Sequence, residues 1–173
     1  MTFSPEFAKT MGVSEPIIAG KAVMYCYIGL VAGDMLSGLI SQLLKSRKKT
    51  VLIFLSLCSV FILAYLFYNS FSSFYFYAMC VTLGIGGGYW AVFVTIASEQ
   101  FGTNLRATVT TTVPNFIRGS VVLMTLVFQF LKGYTTMIYS ALIIGGIVII
   151  IAYIAVIRME ETYGKDLNYI EPL

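Results

Sequence analysis

Histidine is absent from the 173 residues, and charged side chains make up only 11% of them. The first absence removes the commonest general base and metal ligand of neutral pH. The second removes the charged surface that a soluble domain requires. No Asp, Glu, Lys or Arg occurs from residue 50 to residue 98, or from 133 to 157. The cysteines, Cys26, Cys58 and Cys80, lie far apart in apolar runs with no C-x-x-C spacing, a pattern of small buried hydrophobes and not of a metal or redox site. H-E-x-x-H and G-x-S-x-G are missing, and Asp34 and Glu99 fall on different apolar segments, so nothing marks a catalytic centre, a cofactor or a nucleic-acid partner. The start "MTFSPEFAKT" has no basic head followed by an apolar core and does not read as a signal peptide.

What remains is 58% hydrophobic, with a mean hydropathy of +0.87. A bilayer is crossed by about 20 apolar residues in a helix. The charge-free runs are therefore membrane spans, the first divided by the polar turn "YNSFSSFYF" at 68–76. Five transmembrane helices are expected, at about 16–44, 51–67, 74–98, 104–131 and 137–157. They are helical because an unpaired backbone group in lipid costs several kcal/mol and the runs lack the alternation of a barrel. Pro16 suits a first helical turn, and Pro114 is expected to kink the fourth span. The fold class is all-α and polytopic: an extracytoplasmic segment at 1–15, a five-helix part at 16–157 and a tail at 158–173.

Lys45, Arg47, Lys48, Lys49, Arg106, Arg158 and Lys165 fall on one side, and Lys9, Lys21 and Lys132 on the other. Seven cations against three make the first side cytoplasmic, with the C-terminal tail inside and the turn at 69–73 outside. Three ionisable residues inside the spans need an explanation, since each costs roughly 2.5–3.5 kcal/mol at a helix centre. Asp34 and Glu99 lie towards the basic ends of their spans, and Arg118 lies near mid-span.

The stretch "ASEQFGTNLRAT" at 97–108 resembles the E-x-F-P-T-x-x-R signature of the major facilitator superfamily, in its sugar-porter and metabolite-symporter branches. Glu99, Phe101, Thr103 and Arg106 match, and Gly102 stands where Pro is usual. "GDMLSGLISQLLKSRKK" resembles the Asp-bearing loop between the second and third helices of each half, with Ser37 in place of a Gly and the basic cluster several residues late. The tail "EETYGKDLNYIE" resembles the family's P-E-T-K-G ending through Glu161, Thr162 and Gly164. The resemblance implies that the five spans correspond to helices 8–12 of a transporter, its C-terminal half, with residues 1–15 ending a preceding helix. The N-terminal half is then missing: either the chain is truncated, or it is a short protein working with a partner chain.

The resemblance also implies that Asp34, Arg47, Glu99 and Arg106 form a gating latch on the cytoplasmic side. The bland alternative is that "KSRKK" only anchors topology. Thr108, Thr111, Asn115 and Arg118 recur at three- and four-residue intervals on the fourth span, one polar stripe that should face protein or water. Candidate substrate contacts are Arg118, Asn115 and Thr111, with Tyr89, Trp90 and Gly88 on the third span. There Gly84, Gly88, Ala91, Thr95 and Ser98 form a small-residue stripe that reads as helix packing more readily than as ligand contact. Arg118 either pairs with an acid on the missing half or contacts substrate. Two functions stay open: a secondary transporter of a small polar metabolite such as a sugar or organic acid, embedded as a multi-pass protein in the cell membrane, or a membrane-embedded assembly subunit without transport of its own.

Overall fold

The computed structural model describes residues 3–13, 15–67, 72–168 and 170. It is all-helical: among these residues there are seven helices and no strand. They are α1 (Ser4–Thr10), α2 (Ala19–Leu43), α3 (Arg47–Phe67), α4 (Ser73–Gly87), α5 (Trp90–Glu99), α6 (Thr103–Lys132) and α7 (Met137–Arg158). Five helical segments are long and apolar enough to cross a membrane, with α4 and α5 together making one segment, Ser73–Glu99. The protein is a multi-pass membrane protein.

Two boundaries depart from the expected ones. The first span begins at Ala19 and not at Pro16, because Ile18 is extended and spends its N–H on the Tyr77 hydroxyl at 3.2 Å. The third span is not one helix: α4 ends after Gly87, and α5 starts at Trp90. The run "GIGGGYW" supplies the break, since successive glycines hold a helix weakly and allow backbones to touch. Pro114 lies inside α6, which runs from Thr103 to Lys132 as expected of the fourth span. Of the polar turn at 69–73, residues 69–71 lie outside the described residues; Ser72 is the N-cap position of α4.

The tightest seam joins α2 to α4. A Cβ built on Gly29 would sit 2.0 Å from the Val81 carbonyl oxygen, and one on Gly84 would sit 2.1 Å from that of Cys26. No side chain fits at either position. With little hydrophobic drive between helices in lipid, such backbone approach is what holds spans together. Phe54, Tyr65 and Phe76 are buried in the helix seams, although an apolar aromatic in this chain reads most simply as lipid-facing. α1 is fastened at the end away from the basic loop. Phe3 and Phe7 stack near Phe128 of α6, and Glu6 pairs with Lys132.

α6 stands apart from this packing. Phe128 is its one buried residue, and its most apolar eighteen-residue window buries nothing.

Candidate functional site

Chain reversal brings the end of α2, the start of α3, the end of α5 and the tail after α7 to one end of the bundle. α2 stops where Lys45 adopts a left-handed φ of 48°, a turn that aims the next four residues back across the bundle end. Arg47 then begins α3, and its guanidinium meets Glu99 at the end of α5. Nη2 donates to Oε1 at 3.0 Å, and Nε lies 3.3 Å from both carboxylate oxygens. The Glu99 side chain is 10% exposed and that of Arg47 is 18% exposed. A pair so far from water holds only if its remaining hydrogen-bonding capacity is met. It is met: Arg47 Nη1 donates to Ser41 at 2.8 Å, and the buried Thr162 hydroxyl donates to Glu99 Oε2 at 2.7 Å.

The tail completes the cluster. Glu161 accepts the backbone N–H of Arg47 at 2.8 Å and that of Lys48 at 3.4 Å, and also the Ser46 hydroxyl, so an acid from beyond α7 caps the start of α3. In return, Lys48 Nζ donates to the carbonyls of Ile157 and Met159 at 2.6 and 2.8 Å, neutralising the end of α7. Tyr163 lies under the Arg47 guanidinium, 5.1 Å from ring centroid to Cζ. Partial burial pushes the Glu161 carboxyl up, but the Ser46 hydroxyl and the N–H groups of Tyr163, Arg47 and Lys48 outweigh it and hold it below the usual carboxylate range.

The four expected latch residues divide. Arg47 and Glu99 are bonded to each other. Arg106 binds carbonyls and no acid: Ser98 at 2.9 Å, Phe101 at 3.3 Å and Leu167 of the tail at 2.7 Å. Asp34 is elsewhere, half-buried nine residues before the end of α2. Its Oδ1 accepts the N–H of Ala91 at 3.1 Å, in the first turn of α5 just past the glycine break. A carboxylate at the positive end of a half-helix explains an aspartate inside an apolar span. Gly88 is pressed against α2, where a Cβ would lie 2.5 Å from the Gly33 Cα.

The expected substrate contacts also separate. Thr111, Asn115 and Arg118 are all exposed on the outer face of α6. Thr111 spends its hydroxyl on the carbonyls of Ala107 and Thr108, at 3.1 and 2.9 Å. Among the described residues nothing pairs with Arg118. Asn115, Thr112, Gly119 and Ser120 edge an open groove of about 580 Å³. Tyr89 and Trp90 line a different, largely apolar cavity of about 320 Å³ with residues of α3 and α7.

No family model, curated protein or solved structure matches this chain. Reading by sequence missed Ser41, Ser46, Lys48, Glu161 and Thr162 as members of the charge cluster. The only signal for the two tail residues was the partial ending motif that contains them.

Proposed function

We propose that the chain forms one helical half of a secondary transporter of the major facilitator type, moving a small polar metabolite such as a sugar or organic acid by alternating access. The observation that carries this reading is the face of α6: Thr108, Thr111, Asn115 and Arg118 point away from the chain's own helices, with Arg118 near the middle of a 30-residue span. A guanidinium there cannot face lipid and cannot easily reach either interface, so the face meets a second helical half or a water-filled cavity between halves. The interrupted α4–α5 segment supports the same reading, because transporter sites are commonly built beside broken helices near the midplane. The second half belongs to the same polypeptide or to a partner chain. The Arg47–Glu99–Thr162 cluster acts as the latch that closes the basic end of the bundle in one state and parts in the other.

By the cation asymmetry the basic end and the tail are cytoplasmic and the protein sits in the cell membrane. A cysteine introduced at Ser72 should react with an impermeant maleimide in intact cells; reaction only after permeabilisation reverses the orientation.

The exposed α6 face would equally serve a subunit that assembles with another membrane protein and transports nothing. Uptake of a panel of labelled hexoses and dicarboxylates separates the two. Arg118→Lys keeps the charge but loses the planar donor fork, so a transporter should reach the membrane at normal levels and lose most uptake. Full uptake by that variant removes Arg118 from the site, and no uptake of any probe by the wild-type assembly leaves the assembly reading.

A further inference from the structure

Two connected apolar spaces lie away from the polar face of α6. A cavity of about 470 Å³ opens among the basic-end portions of α3, α5, α6 and α7, with Phe101, Met159 and Arg158 at its mouth. The apolar cavity of about 320 Å³ continues it inward to Trp90 and Ile117, for both are lined by Val51, Phe93, Ala155 and Val156. From Gln100, the C-cap of α5, back to Trp90, the cleft covers about 15 Å at 1.5 Å per residue. A mainly apolar cleft of that length can take a hydrocarbon chain and offers little to a polar solute.

Its mouth carries an uncommitted cation. Arg158 is exposed, ends α7 and lines the opening, and among the described residues it makes no ion pair or hydrogen bond, not even with neighbouring Glu160. Arg47 is bonded to Glu99, Lys48 to the α7 carbonyls and Arg106 to three carbonyls, and Lys45, Lys49 and Lys165 do not line the cleft, which leaves Arg158 as its cation. A guanidinium fork matches phosphate oxygens bidentately. We propose that this cleft holds one acyl chain of an anionic phospholipid, with the lipid phosphate on Arg158. The bound lipid fills the gap between α3, α5, α6 and α7 and gives the otherwise weakly packed α6 a second surface to rest on. This site is independent of the transport reading, since it needs no substrate and no second half.

Native mass spectrometry of the purified full chain tests it, with phosphatidylglycerol, phosphatidylcholine and water-soluble glycerol phosphate as probes. The wild type should retain phosphatidylglycerol in preference to phosphatidylcholine and should not retain glycerol phosphate. Arg158→Gln, an exposed change that leaves the packing alone, should lower that preference on the order of fivefold while some lipid is still carried. Ala155→Trp, which fills the cleft, should remove both lipids. Unchanged phosphatidylglycerol retention in Arg158→Gln overturns the headgroup assignment, unchanged retention in a folded Ala155→Trp overturns the tail assignment, and equal retention of glycerol phosphate overturns the lipid itself.

Discussion

Replacing Thr162 by Val should release the tail without unfolding the bundle. Thr162 is 1% exposed and its hydroxyl donates to Glu99 Oε2 at 2.7 Å. Valine keeps the shape and removes only that donor. A hydrogen bond to a charged group contributes about 1.5–3 kcal/mol, and Glu99 still keeps Arg47 as a partner, so the loss should fall at the low end, about 1.5–2 kcal/mol. At 1.4 kcal/mol per factor of ten, the undocked population of the tail should rise roughly 10- to 30-fold. Proteolysis follows the open population when opening is fast relative to cleavage. Trypsin cleavage at Lys165 in detergent-solubilised protein should accelerate by that factor, while cleavage in the other loops stays unchanged. A cleavage rate equal to wild type would refute the account of Thr162 as the peg that fixes the tail to α5. Equal acceleration at every site would mean that the substitution acts on the whole fold.

Asp34→Ala removes the acceptor for the Ala91 N–H, and Asp34→Asn keeps an acceptor but loses the charge. The first should weaken the start of α5 by about 1 kcal/mol and the second by a few tenths, read as faster amide exchange at Ala91 in that order; equal exchange in all three proteins rejects the cap. Acidification should loosen the tail through Glu161. Its carboxyl is held below the ordinary range in the folded protein, so its contribution is complete above that range and is lost as pH falls through the lowered value. A spin label at position 165 should become mobile on acidification in the wild type and should already be mobile, with a flatter pH response, in Glu161→Gln.

Long uninterrupted apolar runs were the easiest part of the fold to read. The span expected at 137–157 matches α7 to within one residue at its end, because no polar group competes inside it. The break between α4 and α5 was invisible for the same reason: glycines in an apolar run leave hydropathy intact, and only the approach of Gly33 to Gly88 shows why the helix stops. Arg47 and Glu99 are 52 residues apart, so their contact is set by how α3 and α5 pack and was expected only through the motif resemblance. Asp34 shows the limit of such reasoning. The resemblance implied a place in the charged latch, whereas the partner it found is a backbone amide freed by a helix end that periodicity could not reveal.

α5 is a rod of 10 residues, about 15 Å long, pinned at both ends by side chains of other helices. Asp34 holds its upper end, and Arg47 holds its lower end through Glu99. Because the glycine run at 86–88 above it transmits little bending stiffness, the rod can tilt without dragging α4 along. A tilt of about 10° about the Asp34 pivot carries the far end through about 2.6 Å, taking the rod length from the helical rise. The ion pair at that end is 3.0 Å long and would not survive such a swing. A tilt of α5 by that small angle would therefore break the Arg47 and Thr162 bonds to Glu99 together, so α5 has the geometry of a lever with a short throw.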